Sequence, residues 1–180
     1  MRSKPSSNNP QDQIRMIWNG AKEEDHKSAG ANGLSSTAPP PAPPPAHKKT
    51  KALSIIYQSY VDELGKLSNT WLFFETNQGV SAVCTSEDKA KAKFPTKGDV
   101  RTVDNPPWTG GTYAVKGLDG MDCEYKNDGH DTGALWCEGR DVISCREDAA
   151  KGKGHDGTMD CDPKAIMKIH KQHPVVFCEW

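Results

Sequence analysis

The chain has 180 residues and a formal net charge of −1, which allows one domain plus a tail and gives no charge excess pointing to nucleic acid or a membrane surface. No apolar run approaches the ~20 residues of a membrane-spanning helix. Residues 1–50 hold no cysteine and carry seven basic against four acidic residues; residues 51–180 hold all six cysteines, four of the five tryptophans, and sixteen basic against twenty acidic residues. The expected division is therefore a disordered lead over 1–50 and a cysteine-rich domain over 51–180.

The lead contains Ala38–Lys49, APPPAPPPAHKK, a proline-rich run that favours an extended polyproline II spacer. Gln11–Gly20 carries Ile14, Met16, Ile17 and Trp18, a short apolar segment that cannot form a stable helix alone. The opening twenty residues have no apolar core of a secretory signal, which points to a longer precursor or a misplaced start.

Ala52–Leu67 reads as an amphipathic helix. Leu53, Ile56, Tyr57, Tyr60, Val61, Leu64 and Leu67 follow the i, i+3, i+4, i+7 spacing of one apolar face. Thr70–Glu75 and Val80–Thr85 read as the two strands of a hairpin, the second carrying Cys84. Ser86–Asp104 is charged and aperiodic, with a loop or short helix near Asp88–Lys93. Asn105–Gly111, NPPWTGG, must be irregular because of its two prolines. Further strands are expected at Thr112–Val115, Asp122–Lys126, Gly133–Cys137, Val142–Arg146, Thr158–Cys161 and Pro174–Trp180. The fold class implied is α+β: one amphipathic helix on a mainly antiparallel, disulfide-stapled sheet of about seven short strands.

Six cysteines at strand-like spacing, without a CxxC, favour disulfides over zinc. Cys123 and Cys137 fall on two arms of one expected hairpin, and Cys145 and Cys161 flank the next glycine-rich loop. Cys84 and Cys178 then remain for each other. Metal chemistry needs three or four converging ligands. Asp128, His130 and Asp131, then His155, Asp156, Asp160 and Asp162, then His170 and His173, offer no such spacing and read as turn residues. No metal and no cofactor are expected. Lys151–Gly157, KGKGHDG, lacks the GxxxxGK[ST] pattern of a phosphate loop. Glu124, His130 and Arg146 are the residue types a small ribonuclease would use, without spacing that brings them together. Among the aromatics, Trp71 and Trp136 lie inside apolar runs and read as core. Trp108 sits in a proline–glycine loop suited to presenting one ring, so Trp108, Tyr113 and Tyr125 are the candidate binding residues, with Trp180 a further ring at the chain end.

The run NTWLFFET, GVSAVC, NPPWTGGTY, CEYK, GALWC, ISC and VVFCEW resembles small secreted cysteine-rich fungal proteins, and is similar to the cysteine-rich C-terminal region of fungal killer-toxin-like chitinases. The resemblance covers Ala52–Trp180 and implies a secreted, fungal setting without a settled activity. No run of catalytic carboxylates of the chitinase type is present. The function expected is a secreted, non-catalytic, effector-like binding protein, a monomer outside the cell, acting on a cell-wall glycan or an extracellular host or competitor protein. No nucleic acid and no membrane are expected as partners. The alternatives are a small secreted ribonuclease-like hydrolase and an accessory domain detached from a chitinase.

Overall fold

A computed structural model describes residues 48–180; the readings for Gln11–Gly20 and for most of the proline-rich run lie outside the described residues. The described residues form one compact unit built on nine antiparallel strands. These are β1 (Lys51–Val61), β2 (Leu67–Asn77), β3 (Ala92–Thr96), β4 (Gly111–Leu118), β5 (Met121–Asn127), β6 (Ala134–Cys137), β7 (Ile143–Glu147), β8 (Met159–Asp160) and β9 (Ile169–Glu179). Their order is β3-β2-β1-β9-β7-β6-β5-β4, with β8 on the side of β9. The path curls until its two ends meet through side chains. The Phe94 and Tyr113 rings lie 4.8 Å apart, and Lys91 Nζ donates to Gly117 O at 2.9 Å. The result is a nearly closed barrel.

The α+β expectation is overturned, and with it the helix at Ala52–Leu67. That segment is β1, followed by the turn Asp62–Lys66 and the first residue of β2. β1 pairs with β2 on one side and β9 on the other over nearly its whole length. It is buried on both faces. Leu53, Ile55 and Tyr57 point into the main core with Trp71, Phe73, Tyr125 and Val176. Ile56 points outward to Leu72, Phe74 and Ala82, under the loop that follows β2. A strand covered on both faces is apolar nearly throughout, and such a run matches a helical stripe as readily as a strand. Leu64, assigned to the helical face, is exposed at the turn, and Ser59, placed off that face, is buried.

The hairpin assigned to Thr70–Glu75 and Val80–Thr85 is also corrected. β2 pairs with β1 and β3, and Val80–Thr85 is a loop. Ser86–Asp104 holds a 3-10 turn at Glu87–Lys89, strand β3, and a second 3-10 turn at Val100–Asp104. Asp99 caps that second turn, accepting from the N–H groups of Arg101 and Thr102 at 2.7 and 2.9 Å. The β5–β6 hairpin matches its expectation, with Cys123 facing Cys137.

Three disulfides staple the fold and no described cysteine is free. Cys123–Cys137 joins β5 to β6 as expected. The other two differ from expectation: Cys145 bonds Cys178, and Cys84 bonds Cys161. Register explains the exchange, since Cys145 on β7 lies directly opposite Cys178 on β9. Three bridges suit an oxidising, extracellular setting. Among the described residues no helix is long and apolar enough to cross a membrane.

Candidate functional site

Strands β5 and β6 alternate cleanly, β7 does so around Cys145, and β4 does so up to Val115, where its pairing with β5 shifts register. Val115, Cys123, Tyr125, Leu135, Cys137 and Cys145 point into the core, and their neighbours point to solvent. The outward residues align across the sheet. One row runs Thr112–Lys126–Ala134–Ser144, and the next runs Ala114–Glu124–Trp136. Trp136 is thus a large ring on a face otherwise built of small or polar side chains. It is 47 % exposed, and the other three tryptophans of the described chain are buried or half-buried. Lys126 Nζ lies 5.3 Å from its ring centroid and 2.8 Å from Glu124 Oε2, so a cation and a carboxylate stand beside the indole.

The same face ends at an open groove of 810 Å³ where β6 turns into β7. Arg140, Asp141, Ser144, Asp119, Glu179 and Trp180 are among its lining. Trp180 is half-buried, and its indole N–H donates to Asp119 Oδ2 at 3.3 Å. Arg140 approaches the same carboxylate at 3.5 Å. Asp119 is fixed from beneath, because its backbone N–H donates to Glu75 Oε2 at 3.1 Å. Burial raises the Glu75 pKa, but the Asp119 N–H with Lys91 and Lys51 outweighs it and holds the carboxyl below its ordinary value. The groove therefore offers the carboxylates of Asp119, Asp141 and Glu179, the Arg140 guanidinium, the ammonium groups of Lys48 and Lys49, and the edge of the Trp180 indole.

The three aromatics favoured from sequence do not form an exposed platform. Tyr125 is fully buried; its hydroxyl donates to Thr132 O at 2.9 Å and receives bonds from Thr109 and Asn127. Burial pushes its pKa up. Tyr113 is half-buried between Phe94 and Phe73, with its hydroxyl donating to Gly110 O at 2.9 Å. Trp108 is half-buried against the core, and the Lys151 ammonium lies 4.7 Å above its ring. The NPPWTGG loop packs on the loop after β5. A side chain at Gly129 would meet Gly110 Cα at 3.4 Å. Trp108 and the buried Thr109 of this motif pack on the core, Thr109 Oγ1 donating to the Tyr125 hydroxyl. Trp136, read as core, is the exposed ring; strict alternation over Cys123–Asn127 and Ala134–Cys137 was the signal that assigns it outward.

The remaining candidates are dispersed. Glu124 pairs with Lys126, Arg146 pairs with Glu179 at 3.3 Å, and His130 stands on the exposed β5–β6 loop. His170 and His173 project to opposite sides of β9. His170 Nε2 meets Gln58 Oε1 on the outer face at 2.9 Å. His173 lies inside, between Thr158 Oγ1 at 2.9 Å and Ala150 O at 3.0 Å. Gly154–Gly157 is a 3-10 turn packed on His173. Among the described residues no three His, Cys, Asp or Glu side chains converge as a metal site. Comparison with protein-family models, curated proteins and solved structures finds no match.

Proposed function

We propose that this is a secreted, non-catalytic binding protein whose outer β4–β7 face takes a cell-wall carbohydrate. The exposed Trp136 ring carries the reading. A pyranose has an apolar C–H face that stacks on an indole, and a rim of hydroxyls that needs donors and acceptors. Ala114 and Ala134 leave room beside the ring, while Glu124, Lys126, Thr112 and Ser144 supply the polar partners. A longer glycan continues past Ser144 into the groove at Arg140 and Trp180. Three disulfides support a working place outside the cell, and the resemblance to secreted fungal cysteine-rich proteins agrees with it.

The test is pull-down of the oxidised protein on insoluble chitin, β-glucan, mannan and cellulose, with Trp136→Ala as the comparison. The expected result is retention on at least one polymer and about tenfold weaker retention for the variant, at an unchanged melting temperature. Equal retention of both proteins, or retention of neither, would overturn the reading.

A further inference from the structure

Two turns leave the barrel at the same end. The last rung between β1 and β9 pairs Val61 with Ile169. Beyond it β1 enters the turn Asp62–Lys66, and β9 is reached through the segment Asp162–Lys168. Lys168 Nζ ties the two together at 2.9 Å from Glu63 Oε1. Asp62 stiffens the first turn, its carboxylate accepting from the N–H groups of Leu64 at 2.9 Å and Lys66 at 2.8 Å. What these turns present is apolar. Leu64 is 93 % exposed, Ile166 99 % and Met167 70 %. Neither turn needs an aliphatic side chain for its own geometry, and leaving three of them in water forgoes their burial energy.

We propose that this end of the barrel docks on an anionic phospholipid bilayer. Leu64, Ile166 and Met167 enter the acyl boundary, while Lys66 and Lys164 meet the phosphates. The charge pattern selects this partner. Each apolar tip has a lysine within two residues, an arrangement in which the stem follows the apolar side chain and the ammonium stays at the headgroups. Of the carboxylates on these two turns, Asp62 holds its own turn and Glu63 faces Lys168, while Asp162 lines the hollow beside Lys164. Lys66 and Lys164 form no ion pair among the described residues, so their charge is available. A hollow of 470 Å³ beside the tips, lined by Lys164, Ile166, Met167 and Lys168 together with Glu63 and Asp162, has room for a headgroup. Whole-chain charge, which argued against a membrane surface, cannot register five residues on two adjoining turns. Insertion of tips also needs no spanning segment.

The experiment is flotation of the oxidised full chain with phosphatidylcholine vesicles, with and without phosphatidylserine. The expected result is co-flotation with the phosphatidylserine vesicles. Leu64→Ser/Ile166→Ser/Met167→Ser should weaken it about tenfold or more. Lys66→Glu/Lys164→Glu should abolish the preference for phosphatidylserine. All five positions lie on exposed turns, so melting temperatures should stay with the parent. Absence of flotation by the parent, or undiminished flotation by the triple variant, overturns the proposal. So does a parent dimer in sedimentation that the triple variant loses, because the tips would then be covered by a second copy.

Discussion

His173 shows what one inward-facing polar residue requires. It lies inside the barrel with both ring nitrogens engaged, Nε2 donating to Ala150 O at 3.0 Å and Nδ1 accepting from Thr158 Oγ1 at 2.9 Å. Burial lowers its pKa below the ordinary 6.5, opposing the Ala150 carbonyl, which favours the charged form. The ring is neutral in the folded protein. The unfolded chain therefore takes up a proton first, so the contribution to stability is complete above 6.5 and declines as pH falls below it. Thermal unfolding should show a melting temperature that drops between about pH 7 and about pH 5, and His173→Gln should flatten that slope. An unchanged slope in the variant would place the titrating group elsewhere. Gly157 closes the same site. A β-carbon there would lie 2.2 Å from Ala150 O and 2.8 Å from His173 Cε1, so Gly157→Ala must displace backbone. The expected cost is about 1–3 kcal/mol by urea unfolding; a neutral result would mean that the Ala150 turn yields freely.

Strand β1 carries the energetics at the next scale. Ile56 is buried on the outer face with Leu72 and Phe74, so Ile56→Ala should cost about 2–5 kcal/mol. Ser59 is buried and accepts from Asn69 Nδ2 at 2.5 Å; Ser59→Ala leaves that donor only the longer bond to Asp99 O at 3.4 Å and should cost about 1–3 kcal/mol. Leu64 stands in solvent at the turn, and Leu64→Ala should change stability by under about 0.5 kcal/mol. Urea unfolding of the three variants fixes the order; a costly Leu64→Ala would restore the helical face. This strand also shows how far the sequence could be read. The β5–β6 hairpin was legible because CEYKN and ALWC alternate, one face in the core and one in water. β1 was not, because the loop after β2 covers its second face, and a loop's tertiary packing leaves no periodic mark on the strand it covers. The adjacent β-branched pair Ile55–Ile56, followed by Tyr57, was the local signal for a strand. The site followed the same logic. Trp136 was hidden by an apolar run, and Trp108 was read as free because a proline–glycine loop does not reveal that its ring packs on the core.

The molecule as a whole is held by bridges of two kinds. Cys123–Cys137 and Cys145–Cys178 cross between facing strands, and their four residues are buried. The second of these joins β7 to β9, where the β4–β7 half meets the β1–β2–β9 half. Cys84–Cys161 lies outside the sheet and ties the loop after β2 to the segment after β8. Cys84 is exposed, with a left-handed φ of 59° that a cysteine rarely adopts. Its N–H donates to Gln172 Oε1 at 2.7 Å, and Gln172 in turn donates to Gln58 Oε1 at 2.8 Å. On the chain-entropy model the bridge with the largest separation, 77 residues, stabilises most, by about 4–5 kcal/mol, against about 3 for the separation of 14. Thiolate attack depends instead on access, and here access and entropic weight fall on the same bond. Mild reduction should therefore open Cys84–Cys161 first. The loop over Ile56, Leu72 and Phe74 would then be held by hydrogen bonds and apolar packing alone, while the two cross-strand bridges keep the barrel closed. Timed alkylation with peptide mapping should label Cys84 and Cys161 before any other cysteine. The Cys84→Ser/Cys161→Ser variant should melt several degrees lower yet retain the near-ultraviolet dichroism of the packed aromatic core. Early labelling of Cys145 or Cys178 would mean that the seam between β7 and β9 opens before the outer loop lifts, and that the exposed bridge is not the first point of attack.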